Sequence, residues 1–337
     1  MVGVLGDGTG ERMRLLAIGG TRFIGRHVVE TASSAGHDVT LVHRSPTEVA
    51  PDAEHLLLDR DGDLSVLAGR RFDATVDLCA YLPGQVRSLH RALGEGAGRY
   101  VVISSTSVYD VPAGPGFDET SPTLAPAGPD VTAVTAETYG PLKVAVELAA
   151  RELWGSRATV VRPTYVIGPD DYTRRFTSWV ERVAAGGEVL APGEPSDPLQ
   201  LVDVRDLAGL VVRLAAADVG GTFHAVGQDP PYSFADMLTE LVGAVGPAGT
   251  RLTWVDQEWL LAQGESDATI PLWGGGDPWV AANAADPSAA RRAGLATRPV
   301  ADSARDVLAG VSGSSTTGPG LTRAREAELL AAWHART

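Results

Sequence analysis

The sequence predicts an α/β fold, a doubly wound parallel sheet with a smaller, interleaved C-terminal lobe. Three observations predict it. Short apolar runs alternate with amphipathic helical patterns from Arg14 onward, the runs are apolar throughout, and the rhythm loosens after about residue 168. Runs without alternation suit strands buried on both faces. Strand–helix alternation suits parallel pairing through crossover helices.

Residues 1–12 carry glycines at 6, 8 and 10 with no apolar strand before them, and read as a flexible extension. RLLAI (14–18) is a first strand, FIGRHVVETASSAG (23–36) a helix and DVTLVH (38–43) a second strand. HLLLD (55–59) and FDATVDLCAY (72–81) make the third and fourth. A helix at PGQVRSLHRAL (83–93) leads to the fifth, RYVVISS (99–105). The helix carrying YGPLKVAVELAAREL (139–153) leads to the sixth, TVVRPTYV (159–166). Residues 13–167 are thus expected to form a Rossmann-like large domain.

Residues 168–309 scatter helices such as FADMLTELVGAV (234–245) and DSARDVLAGV (302–311) among glycine, proline and aspartate. They are expected to form mostly a substrate-covering lobe, with returning elements of the large domain. Within 310–337, GVSGSSTTGPG reads as a linker and LTRAREAELLAAWHA as a terminal helix capped near Thr322.

The 337 residues carry a net charge of −14 and are 44% hydrophobic. That charge opposes non-specific attraction to nucleic acid or anionic lipid, so neither is an expected partner. Cys79 is the one cysteine, which excludes an internal disulfide and suits a cytoplasmic location. No apolar run approaches the ~20 residues that span a bilayer. The histidines at 27, 37, 43, 55, 90, 224 and 334 show no metal spacing, and no metal site is expected.

The chemistry begins at AIGGTRFIGRHVVE (17–30), which follows the first strand. Gly19 permits a tight turn and Gly25 a close approach of helix to sheet, while the helix N-terminus offers free N–H groups to a pyrophosphate. Thr21, Arg22, Phe23 and Ile24 line that turn, with Arg22 where a middle glycine usually sits. The second strand ends LVHRS, so His43 and Arg44 stand where a carboxylate would otherwise hold the ribose. A carboxylate repels a 2′-phosphate, whereas a guanidinium binds it with charge-assisted bonds. The expected cofactor is therefore NADP, with NAD the alternative. Arg22 either joins Arg44 on the 2′-phosphate or covers the pyrophosphate.

Tyr139 and Lys143 are four apart and share a helical face. A phenol with an ordinary pKa of ~10 needs help to act near neutrality, and a neighbouring ammonium supplies it. Lys143 is also placed to anchor the nicotinamide ribose, and the Ser105 hydroxyl to polarise a carbonyl oxygen.

Together these segments resemble an extended short-chain dehydrogenase/reductase, the NAD-dependent epimerase/dehydratase family, over about residues 13–310. GGTRFIG resembles that family's glycine turn except at Arg22, and SSTSVY and YGPLK resemble its catalytic segments. The resemblance implies Ser105, Tyr139 and Lys143 as catalytic. It implies an adenine contact at Asp59 and Arg60, and a cofactor edge at Leu78, Cys79 and Ala80. It places Pro163 and Val166 by the nicotinamide, aligns Asp206 with an acid of a later family element, and suggests a homodimer. Thr106 and Ser107 replace the paired acids of sugar 4,6-dehydratases, which argues against that activity. The arginine-bearing turn resembles an atypical branch that includes chloroplast stem-loop RNA-binding proteins.

For a small-molecule substrate, Tyr81, Thr106, Tyr172 and Arg175 are expected contacts, the last two at the lobe boundary. Trp273 and Trp279 in PLWGGGDPW either wall an apolar pocket or fill the core of the lobe. The expected activity is hydride transfer between nicotinamide and a ketone or secondary alcohol. The alternatives are an epimerase or isomerase that retains its cofactor and a non-catalytic nucleotide- or RNA-binding protein.

Overall fold

A computed structural model describes residues 12–110, 116–217, 219–274, 281–311 and 318–336. In chain order the large domain runs β1 (Arg14–Ile18), α1 (Phe23–Ser34), β2 (Asp38–His43), β3 (Glu54–Leu57), β4 (Ala74–Asp77), α2 (Pro83–Leu93), β5 (Arg99–Ile103), α3 (Ala136–Trp154) and β6 (Ala158–Pro163). The chain continues through β7 (Tyr165–Ile167), α4 (Arg175–Ala184), β8 (Glu188–Pro192), β9 (Leu201–Asp203), α5 (Val204–Ala216) and β10 (Gly221–Ala225). Next come α6 (Phe234–Val245), β11 (Arg251–Val255) and α7 (Gln257–Ala262), then helices Ser288–Arg292, Val300–Gly310 and Arg323–His334.

Seven strands pair in parallel in the order β10-β6-β5-β4-β1-β2-β3. Side chains alternate between the two faces of each strand. Leu15 and Ala17 of β1 therefore pack with α1 and α5, while Leu16 and Ile18 pack with α2 and α3. The chain first runs outward from β1 to β3 and then returns to β4, so the strand order reverses between β1 and β4. That reversal opens a crevice at the carboxyl ends of the strands. Ile18 lies in register with Val42 and Asp77, so Gly19, His43 and Leu78 emerge there side by side.

A second core gathers Phe176, Trp179, Leu190, Phe234, Leu241 and Val300 from α4, β8, α6 and the helix at 300–310. Two small parallel sheets, β11-β8 and β7-β9, brace it.

Three strands differ from expectation. TVVRPTYV is two elements: β6 ends at Pro163, and Tyr165–Ile167 leaves the large sheet to pair with β9. Proline donates no ladder hydrogen bond, which favours the break there. FDATVDLCAY shortens to Ala74–Asp77, because Leu78 onward turns into the crevice. The seventh strand, β10, was not singled out by sequence; GTFHA holds one large apolar residue, Phe223.

Candidate active site

The crevice is a cleft of about 630 Å³ lined by Gly19, Thr21, Arg22, Phe23, Ile24, Gly25, His43, Arg44, Asp59, Arg60, Leu78 and Cys79, with Tyr81 and Tyr172 beside them. Its floor is a turn that only glycine allows. Gly19 has φ +86°, and a Cβ there would lie 2.5 Å from the Cys79 sulfur; one on Gly25 would lie 2.6 Å from the Gly19 carbonyl oxygen. Helix α1 begins with no side-chain cap at Arg22 and no acid in its first turn. Its leading N–H groups therefore face the cleft as an uncompensated positive end. A glycine turn, an uncapped helix start and an exposed Arg44 on the wall fit the phosphates of a dinucleotide.

The cleft residues divide by how free they are. Arg60 is paired: its guanidinium forks onto Asp77 at 2.5 and 2.9 Å and donates to Cys79 Sγ at 3.4 Å. Arg60 lines the cleft with its charge already paired, and its buried Nε has no partner among the described residues. His43 is buried, its Nδ1 2.6 Å from the Ser45 carbonyl oxygen and its Nε2 3.0 Å from His55 Nδ1, so it braces the end of β2. Arg22 lies with its guanidinium carbon 4.4 Å from the centre of the Tyr172 ring.

Ser105, Tyr139 and Lys143 converge where β5 meets α3. Ser105 follows β5 and caps the turn at Thr106–Val108, its Oγ accepting from Ser107 N at 3.1 Å. Thr135 caps α3, and Tyr139 stands in the first turn. Gly140 lets the helix come so close: a Cβ there would lie 2.3 Å from the Ser107 carbonyl oxygen. The Ser105 side chain lies near enough to the Tyr139 phenol to lower its pKa, and its hydroxyl donates to Ser107 Oγ at 3.0 Å. One turn on, buried Lys143 donates from Nζ to the carbonyls of Ala80 (2.8 Å) and Ile103 (2.9 Å), tying the ends of β4 and β5 together. An ammonium has three donors, so one N–H remains. The same nitrogen sits 4.8 Å from the Tyr81 ring centre and 5.8 Å from that of Tyr139. Tyr81 thus links this group to the cleft.

Burial pushes the Tyr139 phenol above its ordinary value, while the hydrogen bond from Ser105 and the charge of Arg175 pull it back. Lys143 is not among the groups that move it, contrary to expectation. Burial instead draws Lys143 itself down to about 8, against the opposing charge of Asp77. Burial and the Asp77 charge raise the Cys79 thiol, as befits a packing residue and not a nucleophile.

Other expected contacts lie farther off. Ala80 contributes its carbonyl to Lys143, and its side chain is buried. Thr106 donates to the Pro163 carbonyl at 3.4 Å, and Val166 packs in the large core. Arg175 donates from Nε to Thr173 Oγ1 at 3.2 Å and covers the Tyr165 ring at 4.9 Å. Trp273 is 1% exposed in the second core, so of the two readings the core-filling one holds. Its position corrects its assignment as a substrate contact. Trp279 lies outside the described residues. Asp206 accepts from the backbone and Nε of Arg298, both at 2.8 Å. Among the described residues no cluster of His, Cys, Asp and Glu is arranged to hold a metal. No described helix is long and apolar enough to cross a membrane.

Sequence reasoning missed three buried charges behind the site: Asp77, Glu147 and Arg162. For Asp77 and Arg162 the signal was present, because an acid in DLCAY and a basic residue in TVVRP interrupt largely apolar strands.

A model of the NAD dependent epimerase/dehydratase family matches residues 81–226. The 2′-dehydrokanamycin reductase of Streptomyces kanamyceticus is 26% identical over 266 residues, covering 75% of this chain and 72% of that protein. The chloroplast stem-loop binding protein of 41 kDa b of Arabidopsis thaliana is 27% identical over 224 residues, 61% of this chain and 56% of that protein. The Bordetella bronchiseptica enzyme WbmH in complex with NAD+ superimposes with a TM-score of 0.67 at 15% identity, covering 90% of this chain and all of that one (100%). Its likeness is one of fold.

Proposed function

We propose that the chain, whose residues 81–226 match a model of the NAD dependent epimerase/dehydratase family, is a member of that family and an NADP(H)-dependent reductase of a small ketone. The observation that carries the reading is the convergence of Ser105, at the turn after β5, with Tyr139 and a buried Lys143 of α3 beside a dinucleotide-sized cleft. A bound nicotinamide dinucleotide would supply the hydride. Ser105 polarises the carbonyl oxygen, and Tyr139, whose phenol burial keeps protonated, gives that oxygen its proton. Lys143 fixes the ends of β4 and β5 and offers its remaining N–H to the nucleotide ribose.

A raised phenol favours giving a proton over taking one, so reduction is the favoured direction. A relative named as a reductase supports the same direction. Arg44 supports NADP over NAD, because no carboxylate stands at the end of β2 to repel a 2′-phosphate. Tyr81, Tyr172 and Arg175 border the space for the substrate. A homodimer through α2 and α3 belongs to the same reading, since α3 leaves Leu148 exposed.

The test is to supply NADPH or NADH with a panel of ketones and follow consumption of the nucleotide. Ketone-dependent loss of NADPH is expected. A nucleotide that copurifies and shows no net turnover would instead identify a cofactor-retaining epimerase. Tight, salt-sensitive RNA binding without turnover would identify a binding protein.

A further inference from the structure

Tyr172 belongs to the loop between β7 and α4, yet its ring packs on the glycine turn that follows β1. The Arg22 guanidinium carbon lies 4.4 Å from the ring centre, and the Phe23 ring meets it edge-on at 6.2 Å. Tyr172 is 59% exposed, so the contact is not the by-product of core packing. The loop is moored to the same helix from below: His27 Nε2 is 3.2 Å from the Pro169 carbonyl oxygen and 3.3 Å from the Asp170 carboxylate. Phe23, Asp170 and Arg174 hold positive φ values of 38°, 65° and 56°. Non-glycine residues seldom adopt that region, and such strain collects at ligand clamps and switches.

Arg22 stands where a glycine would let the pyrophosphate approach the backbone. A long cationic side chain at that position must be held aside, or it fills the anion site itself. Tyr172 holds it aside and keeps its charge at the amino end of α1.

We propose that Tyr172 is a positioning residue for the dinucleotide: it orients the Arg22 guanidinium over the pyrophosphate and so ties the second lobe to the bound cofactor. The proposal rests on the reading of this cleft as a dinucleotide site. It assigns Arg22 to the pyrophosphate and leaves the 2′-phosphate to Arg44. It also gives the second lobe, through Tyr172, a role toward the cofactor as well as the substrate.

Dissociation constants for NADPH, ADP-ribose and adenosine, measured by fluorescence titration or calorimetry, test it. Arg22→Ala should weaken NADPH and ADP-ribose about tenfold or more, as expected for a lost charge-assisted bond. Tyr172→Ala should weaken both by about 3- to 10-fold, within the range of a cation–π contact. The double variant should be no weaker than Arg22→Ala alone. Tyr172→Phe, which keeps the ring, should bind like the wild type. Adenosine, which lacks the phosphates, should bind all variants equally. Losses that multiply in the double variant, an unaffected Tyr172→Ala, or an equal loss for adenosine would overturn the proposal. A wild-type chain that binds neither phosphorylated probe would overturn the dinucleotide reading along with it; a wild type that binds while Tyr172→Ala makes no difference sinks the positioning role alone.

Discussion

At Tyr139 burial works against ionisation, while the Ser105 hydrogen bond and the Arg175 charge work for it. The net effect is upward, so the phenol keeps its proton at neutral pH, the form that the proposed reduction needs in its donor. Tyr139→Phe should therefore lower kcat by about 10²- to 10⁴-fold, the usual contribution of a positioned acid, with the nucleotide dissociation constant unchanged. On the proposed mechanism Lys143, drawn down to about 8, sets the alkaline side. Its ammonium is the competent form, present below that value and lost as pH rises through it. The profile of kcat/KM, which reports the free enzyme, should fall above about pH 8, and Lys143→Met should lack that limb. On the proposed reading Arg44 selects the cofactor. Arg44→Ala should raise KM for NADPH about tenfold or more and leave that for NADH unchanged, because a charge-assisted bond is lost with one cofactor alone.

Elements meet at this site through missing side chains. Gly25 brings α1 to the turn after β1, and Gly140 brings α3 to the turn after β5. A Cβ on Gly140 would press on the Ser107 backbone carbonyl at 2.3 Å, which cannot yield as the Leu124 side chain at 2.8 Å can. Gly140→Ala should push α3 away, part Tyr139 from Ser105 and cost about 10²-fold in kcat, as a misplacement of about 1 Å can do. The accompanying loss of stability should be about 1–3 kcal/mol by chemical denaturation. The glycine turn, the strand alternation and the YGPLK spacing were legible because each is written within a dozen residues. The split of TVVRPTYV was not, since its two halves choose partners, β10 and β9, that lie far along the chain.

Across the whole molecule, buried charges hold the large sheet to its helix and to the loops behind the site. Glu147, 1% exposed, accepts from Arg162 at 2.6 and 2.9 Å and from Ser104 at 2.6 Å, joining α3, β6 and the end of β5. Arg162 also reaches the Tyr109 hydroxyl, which meets His224 of β10 at 2.5 Å. Arg162→Met would leave the buried Glu147 carboxylate with only the half-exposed Arg151, at 3.1 Å, as a cationic partner and should destabilise the fold by about 3 kcal/mol, seen as a lower denaturation midpoint. Its effect on the NADPH dissociation constant should be small, because none of these groups lines the cleft.

The amino-acid sequence alone determined the fold class, the glycine turn and the candidate hydroxyl–phenol–lysine set, because periodicity and spacing are local properties of a chain. Only the tertiary structure decided what each charge does. It committed Arg60 to Asp77, Lys143 to two carbonyls, Trp273 to a core and Arg22 to a tyrosine 150 positions away. Buried groups take their partners from strand order and crossover paths, and those are settled by the packing of the entire chain at once.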